Sequence, residues 1–551
     1  MFERFEEGYG LDSDPNRAYY TAHGRFAGEV AAAIDVRAGI APTAASNLVP
    51  FVDAPLFGEI DLHYPYRIPD FAAELPPRPY ADRLVNIYWQ HVDHVEPVLD
   101  RERFSRDYEA LYSRSEVSSE VWPSILNVVF ALAVQRQEHI PLQRRDEEGN
   151  IFFKRAWALL RPETVLWQPG SLELVQCLML MNRYLHCTNN QQKTWMTAGL
   201  AVRIAQSICC HLPEASSTKD SASDRELKQR VWINCVALDR CVSWSLGRTS
   251  APCLILFPYK TDSMCTRSSC QQGDKHDESL AWKLELHEIS NHIQLAQTQV
   301  RNNLAAKLGL PRLYQQDEYH AVAVQLDACL TKWENSLPSN WMLENLQSVV
   351  DRTSRAERYL LHLRFLHSRI FLYRPMLGRF YLMKSHAATV QTAANPSSLS
   401  DRLLREGARM CVEVAQRVAS LVIETLEPDE PIGLLPWWYR IYYLHIAGIN
   451  FLAAMFGSDL FTESVSQSWH GVISALRAHE HLSAYVQPCI RTFEILSTRI
   501  LNTQYPTPDG SSGVTIEDGV AGPLLDDIFQ DMDFDFDNFL FGTDDIIWGQ
   551  L

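Results

Sequence analysis

Three observations predict an all-α chain. Apolar residues recur at the three-to-four spacing of a buried helix face through most of the sequence, alternating strand patterns are almost absent, and the breaks between periodic stretches are polar or proline-bearing. The composition agrees: 46% hydrophobic and 21% charged residues describe a chain that folds, and 551 residues allow a large buried core.

Taken in order, residues 1–79 form an N-terminal segment and connector. One short helical pattern places Phe26, Val30 and Ile34 on a shared face, and Pro65, Pro69, Pro76, Pro77 and Pro79 then prescribe an extended stretch. Packing is expected to begin near Tyr80. In 171–187, Leu174, Cys177, Leu178, Met181 and Leu185 make a core-facing stripe, and Trp195, Ala198, Val202, Ala205 and Cys209 repeat it in 191–212. In 223–247 a Ser223/Glu226 capping box precedes the buried face of Leu227, Val231, Cys235, Leu238 and Val242. Similar patterns cover about 280–308, 317–336, 351–377, 401–426, 437–457 and 487–501, with breaks at 248–279, 338–350, 384–400 and 427–435. No fixed repeat period occurs, so residues 80–502 are expected as a large irregular multi-helix domain, bundle or solenoid-like.

The most apolar stretch, Trp437 to Phe456, is interrupted by Arg440, His445 and Asn450, whose five-residue steps leave no face clean for lipid; a buried core helix is expected, and no membrane. The twelve cysteines are scattered, none in a two-residue-separated pair, and most lie in apolar helical patterns where a free thiol acts as a small hydrophobe. No signal peptide follows Met1, which points to a reducing intracellular compartment.

Enzyme and metal signatures fail on specific atoms. His287-Glu288 with His292 puts the two histidines at i and i+5, on different helix faces. Asp531, Asp533 and Asp535 echo a calcium loop, but Phe536 fills the obligatory glycine position and Gly542 the terminal glutamate position. Cys265, Cys270 and His276 share one polar loop at non-standard spacing, and no phosphate-cradling glycine loop or nucleophile elbow occurs. No catalysis, cofactor or metal is expected of this chain.

The formal charge is −17, opposite to that of a phosphate-binding surface. Eleven acids and no Lys or Arg follow Ile500, so most of the negative charge sits at the C-terminal end. Residues 503–523, with Pro506, Pro508, Gly510, Gly513, Gly519, Gly522 and Pro523, have linker composition. In 524–551, Phe529, Phe534, Phe536, Phe539, Leu540, Phe541 and Trp548 are interleaved with Asp. Carboxylates that repel at short range keep such a segment disordered and expanded, leaving the rings to a partner groove. This is the pattern of a transcriptional activation segment that binds a coactivator. A docked terminal helix and an acidic solubilising tail are the alternatives; a solubilising tail has no use for six aromatics.

The rest of the chain resembles the fungal-specific transcription factor domain, the regulatory region of fungal zinc-cluster transcription factors. The resemblance rests on Tyr88-Trp89-Gln90-His91-Val92-Asp93-His94-Val95-Glu96-Pro97-Val98-Leu99-Asp100-Arg101 ending in Phe104, on 195–206, and on Glu226 to Trp232 with Leu238-Asp239-Arg240 and Leu246-Gly247-Arg248. Residues 358–364 with Tyr373-Arg374-Pro375 are similar to a later helix of the domain, and Phe26 to Val30 to the segment before it. The family implies an all-α fold, action in the nucleus and control of pathway genes, with homo- or heterodimers among related factors. It also implies an N-terminal six-cysteine zinc cluster; here the first cysteine is Cys177, so zinc and direct DNA contact are expected only from an upstream module, with DNA otherwise reached through a partner. The alternative is a helical adaptor or corepressor that binds full-length factors without touching DNA.

The motif residues Glu226, Arg230, Trp232, Asp239, Arg240, Gly247 and Arg248 read as structural. Asp239 is expected to pair with Arg203 or Arg230, Trp232 and Trp244 to anchor the core, and Arg248 to cap its helix against the exposed carbonyls. An effector pocket between helices is compatible with this architecture, but no residue marks one.

Overall fold

A computed structural model describes Val30, Ile34 and residues 75–504, apart from 96, 114–120, 161–164, 166–168, 188–190, 213–221, 246–247, 249, 252–273, 300–318, 390–398 and 428–429. Gly247, Cys265, Cys270 and every residue of the acidic-aromatic tail, including Phe529, Phe534, Phe536, Phe539, Leu540, Phe541 and Trp548, lie outside the described residues. Within them the fold is all-α, with no strand.

The first half runs α1 (Arg78–His91), α2 (Arg101–Tyr112), α3 (Trp122–Gln135), α4 (Leu142–Leu160), α5 (Leu172–Leu185), α6 (Gln191–Ser207) and α7 (Ala222–Ser245). Helix α1 starts two residues before Tyr80 because Pro77 and Pro79 suit a cap and a first turn, where no intrahelical N–H is needed. Asp100 caps α2 by accepting from the Arg103 N–H at 2.8 Å, and Ser171 caps α5 through the Leu174 N–H at 3.1 Å. Helix α3 is buried along its whole length except at Pro123, and α1, α4 and α5 pack around it. Its near-continuous apolar sequence has no exposed face and therefore no 3.6-residue signal, which is why α3 escaped the periodicity reading.

The second half comprises α8 (Asp274–Gln299), α9 (Tyr319–Ser336), α10 (Arg352–Thr389), α11 (Leu399–Glu424), α12 (Trp437–Ala454), α13 (Glu463–Ala478) and α14 (Val486–Gln504). Helix α12 is the segment expected from Trp437 to Phe456, and it is buried nearly all round. Among the described residues no helix is long and apolar enough to cross a membrane. Helix α10 runs beyond the expected end at 377, straight through Pro375. A proline withholds the N–H that Phe371 O would accept. Gln297 Nε2 donates to that carbonyl at 2.5 Å, and the Tyr319 hydroxyl donates to the next one, Leu372 O, at 2.7 Å.

Each half has its own apolar core, one built around α3 and α5, the other around α10, α11 and α12. Val30 and Ile34 are helical and fully buried in the second of these, so packing begins well before Tyr80.

Candidate functional site

Helix α7 carries most of the motif and ties the first half together. Arg230 donates to Leu99 O at 3.2 Å and Asn234 to Pro97 O at 3.3 Å, while Gln176 from α5 donates to Val98 O at 2.6 Å. The extended segment 97–99 has no helical partners for these carbonyls, so three side-chain donors satisfy them. Two of the stretches quoted for the resemblance, 88–104 and 226–248, thus meet in space. Trp232 is fully buried, as expected. Glu226 is exposed and stands 4.0 Å from Arg230, a pair worth little. Ser223 falls inside the first turn of α7, one residue past its start, rather than at the cap.

Two expectations are corrected at the far end of α7. Asp239 pairs with neither Arg203 nor Arg230: its Oδ2 accepts the backbone N–H of Ala251 at 2.7 Å, which pins the chain leaving the helix. Burial pushes the Asp239 carboxyl above its ordinary value against that hydrogen bond and the neighbouring Arg240. Arg248 does not cap with its guanidinium. Its backbone N–H donates to Ser243 O at 2.8 Å, a helix-closing bond, and its guanidinium lies 4.8 Å over the Trp195 ring. Arg240, nearly fully buried, reaches Glu288 on α8 at 3.0 Å and so links the halves.

A second link lies at the loop after α3. Arg136 and Arg440 both donate to the Glu138 carboxylate, and all three side chains are buried. Arg136 also donates to Gly433 O at 2.8 Å and Leu435 O at 3.3 Å, Arg145 donates to Leu482 O, and Trp437 Nε1 donates to Gln135 O at 2.9 Å. Glu138 sits below the ordinary carboxyl value: burial raises it, but Arg440 and Arg136 together outweigh that.

Between the halves lies a cavity of about 60 Å³, bounded by α7, α8, α10 and α12. Trp244 forms part of its wall, stacked on Phe371 at 5.6 Å and edge-on to His367 at 6.3 Å, with its Nε1 donating to Gln294 at 3.1 Å. His367 is in turn edge-on to Tyr442 and Tyr443 at 5.6 and 6.0 Å. His186, Cys241, His287, Arg364, Ser368 and Trp438 add to the polar lining. Burial, aided by Arg374, pushes His367 down to about 3, and burial with Arg364, Arg240 and Lys283 holds His287 well below its ordinary value. Both rings are therefore neutral near pH 7, and Arg364 is the permanent charge of the wall. No carboxylate lines the cavity among the described residues. Trp438 is 2% exposed, and its indole N–H has no acceptor among the described residues. Sequence reading named Trp244 only as a core anchor and did not find this cavity; Arg364 is one of seven arginines in α10, and nothing in the sequence sets it apart.

Among the described residues no three His, Cys, Asp or Glu side chains gather in the manner of a metal site. His287 is buried and His292 exposed, as the i, i+5 spacing requires. Cys177, Cys411 and Cys489 are buried, with thiols raised by that burial, unlike the thiolates of a zinc cluster.

Comparison with known proteins decides the lineage. The family model described as the fungal specific transcription factor domain matches residues 85–287, from α1 into α8. Sorbicillinoid biosynthetic cluster transcription factor 2 of Penicillium rubens is 63% identical over 540 residues, covering 97% of this chain and 77% of that protein. The chain belongs to the fungal-specific transcription factor domain family. Sorbicillinoid biosynthetic cluster transcription factor sor3 of Hypocrea jecorina is 58% identical over 97% of this chain and 76% of its own length. Activator of stress genes 1 of Saccharomyces cerevisiae is 23% identical over 68% of this chain and 38% of its own length. The matched stretch spans the first of the two cores, which α7 holds together.

Proposed function

We propose that this chain is a nuclear activator of a dedicated biosynthetic gene cluster, of the sorbicillinoid kind named for its relatives. The 63% identity along 97% of the chain carries this reading. The helical body, residues 80–502, serves dimerisation, effector response or masking of the tail, and residues 503–523 tether the activating segment 524–551. Phe529, Phe534, Phe536, Phe539, Leu540, Phe541 and Trp548 bind the coactivator, their rings kept accessible by the interleaved aspartates. DNA is reached through the zinc-cluster module of the family or through a DNA-bound partner.

The test is a fusion of residues 503–551 to an unrelated DNA-binding module upstream of a reporter. Activation that is lost when Phe529, Phe534, Phe536, Phe539 and Trp548 become Ala, and kept when a single Asp becomes Asn, is expected. A silent fusion removes the activation claim. Deleting the gene is expected to silence one contiguous biosynthetic cluster; unchanged transcripts throughout the genome would refute the regulatory reading. The charge of −17 favours a second reading, an adaptor that works without touching DNA. Salt-sensitive duplex binding by the purified chain would exclude it.

A further inference from the structure

Helix α6 packs on α5 and α7 with one side and turns an acid-free side outward. Lys193, Met196, Leu200 and Arg203 follow at steps of three, four and three residues, so they share one face. Met196 is 59% exposed, Arg203 is exposed, and Lys193 and Leu200 are half-buried. From Gln191 to Ser207 the helix contains no Asp or Glu, and Arg248, lying over the Trp195 ring, adds a third cation beside the face. Gly199 sits among these residues. A Cβ there would meet nothing within 4 Å, so no packing in the fold demands a glycine, although glycine weakens a helix relative to alanine. What its missing side chain does provide is bare helix surface on which an incoming ring lies close to the backbone.

The chain ends in a segment of the opposite character. Eleven acids and no Lys or Arg follow Ile500, and Phe534 and Phe536 alternate with Asp533, Asp535 and Asp537. Alternate rings of an extended segment stand about 7 Å apart, close to the rise of about 6 Å from Met196 to Leu200. Residues 505–523 separate this segment from Gln504, the last described residue. A tether of that length spans about 25 Å on average and about 60 Å at full stretch, enough to reach any face of a body whose radius of gyration is about 22 Å. Tethering also supplies an effective concentration on the order of millimolar, at which a small contact is well populated.

We propose that this face of α6 docks the acidic-aromatic segment 524–551 of its own chain. Phe534 and Phe536 lie against Met196, Gly199 and Leu200, and the flanking aspartates face Lys193, Arg203 and Arg248. A methionine adapts to rings without a preformed groove, and cations at both ends of the face select an acidic occupant over a neutral or basic one. Docking covers the rings, so it excludes any other partner that needs them. That docking silences the chain rests on the activator reading above; the contact itself does not.

The test is photo-crosslinking in the full-length chain with p-benzoylphenylalanine in place of Met196, read by mass spectrometry of the digest. Crosslinks to peptides from 524–551 are expected within a single chain, and none when the probe instead replaces Trp157, which is 45% exposed on α4. Lys193→Glu with Arg203→Glu is expected to lower the yield at least about fivefold, as is raising the salt from about 50 to about 500 mM, with the circular dichroism of the helices unchanged. Adding Asp533→Lys, Asp535→Lys and Asp537→Lys is expected to restore it. No tail crosslink, tail crosslinks only at twice the chain mass, equal yield from position 157, or a yield indifferent to the charge reversal overturns the proposal. Transcription is read separately, with the full-length chain fused to an unrelated DNA-binding module. There Lys193→Glu with Arg203→Glu is expected to raise reporter output at least about threefold. Unchanged output alongside a lost crosslink keeps the contact and refutes masking. A silent 503–551 fusion alongside a charge-sensitive crosslink keeps the contact and refutes the activator reading, whereas an active fusion without a crosslink refutes the docking alone.

Discussion

Replacing Glu138 by Gln is the sharpest test of how the halves are held. Two buried guanidiniums, Arg136 with no exposed side-chain surface and Arg440 with 7%, share this one carboxylate. In Glu138→Gln the amide offers a single acceptor oxygen, and two like charges face each other without a counter-ion. Removing one partner of a buried ionic cluster costs about 3–5 kcal/mol, and the lower end applies here because Arg136 keeps Gly433 O and Leu435 O as acceptors. At about 1 °C per kcal/mol for a chain of this size, the thermal midpoint should fall by about 3 °C near pH 7. The pH dependence has a definite sign. The Glu138 carboxyl titrates below its ordinary value of 4.5 when folded, so its contribution is complete above that value and disappears as pH drops through the depressed one. The gap between parent and Glu138→Gln should therefore be constant from neutral pH down to the ordinary glutamate range and narrow below it. The assay is thermal unfolding followed by far-ultraviolet circular dichroism across that range. Adding Arg440→Met should restore part of the loss, because one uncompensated charge goes with it. A midpoint change under about 1 °C, or a gap that widens on acidification, would refute the assignment of Glu138 as the shared counter-ion.

Two further perturbations follow from the packing. Burial, with Arg440 nearby, drives His479 down to about 4, and burial drives His367 to about 3, from 6.5; the unfolded chain binds these protons first, so stability should decline as pH falls from about 6.5 towards 4, by about 3 kcal/mol per ring at most, and His479→Gln should flatten the decline measured by thermal unfolding. Among the helical glycines, Gly448→Ala would place a Cβ 2.2 Å from Phe493 Cε2, inside a ring stack with His445, and should cost about 1–3 kcal/mol, whereas Gly199→Ala meets nothing within 4 Å and should gain about 0.5–1 kcal/mol; equal midpoints for the two variants would contradict the packing around α12.

The all-α class was legible because amphipathic helices advertise themselves through their spacing, and α6, α9, α11 and α14 are of that kind. Helix α3 was not, since a segment wrapped on every side has no polar face to set a period. Pro375 does not end α10, because its cost is local and is met by Gln297, which reaches the stranded carbonyl from 74 positions away. The interruptions of α12 were visible, but not their purpose. Arg440 reaches Glu138, His445 Nδ1 lies 2.8 Å from the Tyr485 hydroxyl, and Asn450 Oδ1 lies 3.4 Å from Cys411 Sγ, three partners on three other segments. The cavity was illegible for the same reason. Its polar groups come from four helices far apart in sequence, and only folding assembles them.

Much of the seam between the halves joins side chains to main chain. Arg136 and Arg145 donate to the carbonyls of residues 433 and 435, and of 482, and Trp437 to that of residue 135. Every residue type presents a carbonyl, so mutational drift at Leu435 or Leu482 leaves the acceptor in place, while change at the donors does not. Gly433 is the exception, because a Cβ there would stand 2.9 Å from Arg440 Cζ. Divergent descendants of this chain should accordingly hold on to their donors and that one glycine while the neighbouring positions vary.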